Sequence, residues 1–274
     1  MTKLSLGNVT PVTGLIPAAG RASRLPGLTC SKDLLPVPET GSDASCAAIE
    51  NSVKFLRECG IEHQNVVIAP GTKDIPGLLG DGSRLGAKVF YTTIVDSRSV
   101  PDSLSAGLEG NSRSNVVLVF PDIMFEPRAA IAQSIAGFGS TECDVLLSLI
   151  PSSRGEKVDM VTVDDDGMVQ GIAPKPGAGI SGWTWVAAAW SPEFSAYLRQ
   201  FVDKNADSAA RLQGREPYVG DVINAAIDDG LLVRAERFKQ GGMIDIGTPD
   251  DYASVWHQSG QALPPAVAAL LRSF

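Results

Sequence analysis

At 274 residues the chain has room for one large α/β unit or two small ones. Hydrophobic residues make up 44% and charged residues 20%, an ordinary globular balance with ample apolar material for a core. A formal net charge of −8 argues against a nucleic-acid partner held by bulk electrostatics, so any phosphate chemistry must concentrate its basic groups locally.

Short apolar runs alternate with helical patterns along the first half. Val12–Ala18 reads as a buried strand that empties into a loop, Ala19–Pro36. Ala44–Cys59 has helical periodicity and stops at Gly60, and strands are expected at Asn65–Ala69 and Lys88–Thr93. Ser103–Glu109 reads as a short helix, Asn115–Phe120 as a strand ending at Pro121-Asp122, and Ala129–Ala136 as a further helix. Strands separated by helices at this rhythm imply βαβ units and a mainly parallel sheet.

After Asp144 the rhythm changes. Val145–Ile150 and Met160–Val163 are strand-like, Asp164-Asp165-Asp166-Gly167 reads as a hairpin turn, and Trp183–Trp190 is another apolar strand. Asp221–Asp229 is helical and Leu231–Arg237 extended, and Thr248-Pro249-Asp250-Asp251 carries a helix-start signature. No repeat, low-complexity segment or linker divides the chain, which points to one α/β unit with an inserted mixed-sheet half.

The four cysteines, Cys30, Cys46, Cys59 and Cys143, show no CxxC pairing and no histidine at ligand spacing, so reduced cytosolic thiols fit better than disulfides or zinc. The two histidines, His63 and His257, leave little room for histidine-based catalysis. Met1–Thr10 lacks a basic stretch followed by an apolar run, and no window reaches the roughly eighteen apolar residues of a membrane span. A soluble, cytoplasmic protein with no membrane partner is expected. Its oligomeric state is open, a homo-oligomer included.

The densest chemistry is Pro17-Ala18-Ala19-Gly20-Arg21-Ala22-Ser23-Arg24-Leu25, followed by Ser31-Lys32-Asp33-Leu34-Leu35-Pro36. A loop of small residues lets backbone N–H groups approach an anion, and Arg21, Arg24 and Lys32 add cations to it. A triphosphate needs such focused charge, and departing pyrophosphate needs it more. Local physics supports equally a small-residue turn with solvated arginines.

The segment resembles the N-terminal signature of sugar-1-phosphate nucleotidylyltransferases, written (L/P)AGGxGTRL…PKxLLP. The resemblance implies triphosphate contacts at Ala19, Gly20, Arg21 and Arg24, and a phosphate contact near the reacting centre at Lys32. Ala19-Gly20 stands for Gly-Gly, Ala22-Ser23 for Gly-Thr, and the stretch between Arg24 and Lys32 is about two residues shorter than usual. Leu78-Leu79-Gly80-Asp81-Gly82-Ser83 resembles the family's LLGDGSxxG turn, with a structural role. Val100–Ala106 corresponds to the PxGLAxA-like segment along the nucleobase, with Ser103 where the family has Gly and Arg98 near its base-reading Gln.

Phe120-Pro121-Asp122 sits where the family has a strand ending in Gly-Asp, and Met243–Thr248 matches its (W)xDxGT motif. The resemblance assigns Asp122 and Asp245 to Mg²⁺, an ion that takes sparse carboxylate ligation completed by phosphate and water. Either residue alone reads as a turn or cap. Val158–Val161 through Gly167 to Ala173-Pro174-Lys175-Pro176 resembles YGxV…DxxG…EKP, which places the sugar-phosphate contact on Lys175. Asp159-Met160 stands for Tyr-Gly there, and Pro174 for the sugar-binding Glu. Trp185 offers stacking surface or core packing. Asp221, in a segment resembling E(L/Y)xxTD, is a candidate sugar-pocket residue or a helix cap.

The resemblance spans about Gly14 to Trp256. It implies a Rossmann-like, GT-A-like nucleotidyltransferase fold with a mixed central sheet, a nucleotide half of about residues 1–125 and a sugar-phosphate half of 126–274. It also implies Mg²⁺-dependent joining of a nucleoside triphosphate, dTTP or UTP favoured, to a sugar 1-phosphate with pyrophosphate released. Two rivals stay open: transfer to a non-sugar phosphate such as phosphocholine, and a catalytically silent nucleotide- or sugar-binding regulatory subunit.

Overall fold

The computed structural model describes residues 10–20, 25, 28, 30–39, 44–110, 113–205 and 215–273. β1 (Val12–Ala18) is followed by β2 (Pro36–Pro38) and β3 (Ser45–Ala47), an antiparallel ribbon leading into α1 (Ala48–Glu58). The helix expected from Ala44 thus begins four residues later. Ala47 stays extended because its N–H donates to the Glu50 carboxylate at 2.9 Å, which caps the first turn.

β4 (His63–Ile68), α2 (Asp74–Leu79), β5 (Lys88–Thr93), α3 (Val100–Gly107) and β6 (Asn115–Val119) complete the first half. β1 lies between β4 and β6, and β4 pairs with β5, all in parallel. The Val-rich runs of β4 and β6 are buried nearly throughout, as strands covered on both faces must be. α3 starts three residues before the expected Ser103, because the Ser99 hydroxyl accepts from Asp102 N and Pro101 fits the first turn.

The second half contains β7 (Ile123–Glu126), α4 (Arg128–Ala136), β8 (Val145–Ser152), β9 (Met160–Val163), β10 (Val169–Ala173) and β11 (Gly182–Trp190). After β11 come α5 (Pro192–Asn205), α6 (Val219–Asp228), β12 (Val233–Arg237), β13 (Gly242–Asp245), α7 (Pro249–Ser259) and α8 (Pro265–Ser273). The larger strands form one nine-stranded mixed sheet, ordered β10-β9-β11-β6-β1-β4-β5, with β8 joined to β11 and β12 to β8. β11 makes the sheet mixed, for it runs antiparallel to β6, β8 and β9. The Asp164–Gly167 turn forms as expected, with Gly167 at φ 83° and the Asp164 carboxylate accepting from Met168 N.

Two small features set up the site. β13 pairs antiparallel with β7 outside the main sheet, placing Asp245 opposite Ile123. The C-terminal helices then pack Tyr252, Val255, Trp256 and Val267 against Leu25, Leu35, Val37 and Ile246, fixing the loop after β1 to the ribbon that carries Asp245. Tyr252 is fully buried, and its hydroxyl donates to Pro36 O at 2.8 Å. Tyr252→Phe should lower the unfolding free energy by about 1 kcal/mol, the value of a typical hydrogen bond. Tyr252→Ala, which also opens a cavity, should cost about 3–5 kcal/mol in urea unfolding. Equal losses in the two variants would show that the hydroxyl, not the ring, carries the packing.

Candidate functional site

The parallel strands end at a cavity of about 530 Å³ lined by Ala19 and Gly20 after β1, Arg98 and Ser103 at the start of α3, and Lys32 and Asp122. Open α/β sheets bind ligands at such strand ends. Gly20 has no left-handed φ, and a Cβ there would meet nothing within 4 Å, so neither backbone strain nor packing requires the glycine. Ser103 is buried, with its hydroxyl 2.7 Å from that of Ser97, whereas Arg98 is exposed and its Nε lies 3.8 Å from the Asp102 carboxylate. Arg21 and Arg24 lie outside the described residues.

Lys32 opens a 3-10 turn capped by Ser31, and its ammonium pairs with the Asp122 carboxylate. Burial works to lower the Lys32 pKa, but Asp122, Asp33 and Asp245 outweigh it and raise the group above its ordinary value. Lys32 therefore stays cationic. Asp33, which the sequence reading passes over, is only 1% exposed. Burial, reinforced by Asp122, pushes its carboxyl up to about 7. Asp122 and Asp245 are held together by the β7–β13 pairing and by Ile246 N donating to Asp122 O at 2.9 Å.

A second cavity of about 280 Å³ shares Lys32, Val100, Phe120 and Asp122 with the first, and Asp245 also lines it. Its far wall is made by Lys157, Asp159, Lys175, Thr184, Trp185 and Tyr218. The β9–β10 hairpin explains this convergence: it pairs Met160 with Ala173, so the residues before β9 and after β10 emerge at one end. Lys175 has φ 43°, and its Nζ sits 4.5 Å from the Tyr218 ring centroid. The Trp185 indole donates to Asp159 Oδ2 at 3.4 Å, and its ring is buried beside Phe120.

Asp221, read as either a sugar-pocket residue or a helix cap, sits in the first turn of α6. It is the third residue of α6, accepts from Tyr218 N at 2.7 Å and takes both Arg215 Nη groups at 2.7 Å, and it lines neither cavity. α6 accordingly begins at Val219 and not at Asp221. Lys157 is a site residue without a motif. Its ammonium is held by Asp251 Oδ2 at 2.7 Å, while Arg154 takes Oδ1 at the same distance.

Among the described residues no group of three or more His, Cys, Asp or Glu side chains is arranged to hold a metal ion. Asp122 and Asp245 both line the second cavity, and two carboxylates are a donor set compatible with Mg²⁺, whose remaining ligands would have to be phosphate and water. No described helix is long and apolar enough to cross a membrane.

With this geometry in place, the comparisons with known proteins converge on one class. The chain has a Rossmann-like nucleotidyltransferase fold, similar in sequence and architecture to sugar-1-phosphate nucleotidylyltransferases. No family model matches it. Over 87% of its length it is 23% identical to the low-salt glycan biosynthesis nucleotidyltransferase Agl11 of Haloferax volcanii, and it spans 63% of that curated relative. Among solved structures, a Bacillus anthracis protein assigned as a glucose-1-phosphate thymidylyltransferase, in complex with sucrose, superposes with a TM-score of 0.76 at 19% identity, covering 90% of this chain and 95% of the other. A UTP-bound UGPase from Acinetobacter baumannii gives 0.72 at 16% identity, covering 96% and 98%.

Asp251 offers a direct check on the electrostatics of the second cavity. Burial alone would raise its carboxyl, but donation from Lys157, Thr248 and Arg154 outweighs that and brings it down to about 2. A carboxyl depressed on folding stabilises the native state above its unfolded pKa and loses that contribution as pH falls through the folded value. Asp251→Asn should therefore cost about 2 kcal/mol of unfolding free energy at pH 7. The gap from wild type should narrow between pH 4 and pH 2. A gap independent of pH in urea titrations would exclude the charge as its source.

Proposed function

We propose that this protein transfers a nucleotidyl group from a nucleoside triphosphate to a sugar 1-phosphate and releases pyrophosphate. The observation that carries the reading is the meeting of two cavities at Lys32 and Asp122, one behind the strand ends and one behind the β9–β10 hairpin. The triphosphate occupies the first, with Ala19, Gly20, Arg98 and Ser103 around it and the sequence-assigned Arg21 and Arg24 on its phosphates. The acceptor occupies the second, with its phosphate at Lys175.

An acceptor phosphate oxygen attacks the α-phosphorus, the bond from that phosphorus to the β-phosphate bridging oxygen breaks, and pyrophosphate departs with the electron pair. The nucleophile is already anionic, so no general base is needed, and positioning and charge neutralisation provide the acceleration. Lys32 holds a positive charge at the junction where that charge transfer occurs. Bound at Asp122 and Asp245, Mg²⁺ would neutralise phosphate charge and orient the reacting groups. dTTP or UTP with a hexose 1-phosphate is the favoured pairing, and the transferase reading fits nucleotide-sugar biosynthesis.

The test is a matrix of nucleoside triphosphates against sugar 1-phosphates, read by pyrophosphate release. No release from any pair would leave a silent binding subunit as the better account. Asp122→Asn and Asp245→Asn should each reduce turnover by about a hundredfold or more with the fold intact. Near-normal rates at saturating Mg²⁺ would remove that residue from the metal site. Lys32→Ala should cost about 2–4 kcal/mol in kcat/KM, as expected when a charge-assisted phosphate contact is lost where charge develops. Sugar-phosphate binding measured alone should change little. Collapse of that binding with triphosphate binding preserved would reverse the assignment of the two cavities.

A further inference from the structure

The carboxylates around the second cavity divide into two kinds. Asp122 has Lys32, whose charge Asp245 also supports from the same wall, Asp221 has Arg215, and Asp251 has both Arg154 and Lys157. Asp159 forms no ion pair among the described residues. It lines the cavity and accepts from N–H groups, the Trp185 indole at 3.4 Å and the Lys175 main chain, while the Lys175 and Arg215 charges act on it without forming an ion pair. The side chains that could pair with it are committed elsewhere. The Lys175 ammonium lies over Tyr218, Arg215 is taken by Asp221, and Lys157 is turned to Asp251.

A largely buried carboxylate without an ion pair is costly, and N–H donors with more remote charges offset only part of the lost hydration. Burial indeed pushes the Asp159 carboxyl up, ahead of the lowering by Trp185 and Lys175. The wall beside it is aromatic: Trp185 and Phe120 lie with ring centroids 5.6 Å apart, tilted by 59°. An aromatic wall next to a carboxylate is favourable for an ammonium group, which gains from the ring faces and from the charge together. The same cavity also holds Lys175, the group assigned to the acceptor phosphate.

We propose that the acceptor is a phosphate monoester carrying a cationic amine, with Asp159 as the group that selects the amine. The inference rests on the nucleotidyl-transfer reading for its reaction but on Asp159 for its specificity. Two sources share this chemistry: amino-sugar 1-phosphates and amino-alcohol phosphates such as phosphocholine. Each has a neutral counterpart of nearly the same shape, so the amine can be tested apart from size.

The experiment measures calorimetric binding to the full chain with Mg²⁺ at pH 7, and pyrophosphate release with each nucleoside triphosphate, for two matched pairs. Glucosamine 1-phosphate is set against glucose 1-phosphate, and phosphocholine against 3,3-dimethylbutyl phosphate. The amine member of at least one pair should win by about tenfold or more in affinity and in kcat/KM, because a buried charge left without its partner rejects the neutral analogue. The pair that shows the preference identifies the source. Asp159→Asn should bring that ratio below about threefold, whereas Asp159→Glu should keep its sign.

If the neutral members bind as well as the amines in the wild-type chain, or if no acceptor binds, the proposal is overturned whether or not the variants fold. A preference that survives Asp159→Asn overturns it equally. Amine-selective binding with no pyrophosphate from any triphosphate would sink the nucleotidyl-transfer reading and leave the Asp159 assignment standing. Pyrophosphate formation without amine preference would do the reverse.

Discussion

The contact between the Lys32 ammonium and the Asp122 carboxylate organises the rest of the molecule. It joins groups 90 residues apart, one on the loop after β1 and the other just past β6. β1 and β6 are neighbours in the parallel sheet, so their ends deliver both groups to one place without long side-chain reach. A buried ammonium is unfavourable by itself, and so is a cluster of carboxylates; each makes the other tolerable. On the proposed reading, Asp122 would turn from Lys32 to a bound Mg²⁺ and Lys32 to the triphosphate, so that exchange would trade one pairing for two. The ion pair holds both groups in position for that exchange.

The elements legible in the sequence are those whose residues determine them locally. The apolar runs of β1, β6 and β11 are long enough to read directly, and Thr248-Pro249 marks the start of α7 at the right residue. Where helix starts differ from expectation, a reach-back contact decides: Glu50 to Ala47 for α1, Ser99 to Asp102 for α3 and Asp221 to Tyr218 for α6. β7 and β13 are too short for periodicity to detect, so the proximity of Asp122 and Asp245 was readable only through family resemblance. Lys157 and Asp33 were not readable at all. The first depends on Asp251, 94 residues away, and the second lies next to a recognised lysine but is hidden by the fold.

On the proposed reading, an acidic chain that handles phosphates has to keep its cations from being neutralised in the wrong places. Here the basic side chains near the cavities are each assigned: Arg154 and Lys157 to Asp251, Arg215 to Asp221, and Arg128 to Glu58 farther off. Such pairings contribute modestly where they are exposed and more where they are buried, but they also orient long side chains that would otherwise sample many rotamers. Lys175 is oriented differently, by an aromatic ring and by a backbone held at φ 43° between two prolines. On the proposed reading, a lysine that forms no ion pair among the described residues is well suited to receive an incoming phosphate.

The β7–β13 ribbon links this electrostatic arrangement to the core. Two aspartates brought together repel, so their placement requires a scaffold stiff enough to resist separation. Four residue pairs between the strands, with Ile246 N donating to Asp122 O just beyond them, provide the backbone part of that scaffold. Ile244 and Ile246 anchor it from below, buried among Tyr252, Trp256 and Val37. The same cluster holds Leu35, at the far end of the turn that begins with Lys32. Ammonium and carboxylates are thus mounted on one hydrophobic cluster, and loosening that packing would move both halves of the ion pair at once. Close packing passes such displacements on instead of absorbing them. The C-terminal helices therefore matter to the site although none of their residues lines its floor at Lys32 and Asp122.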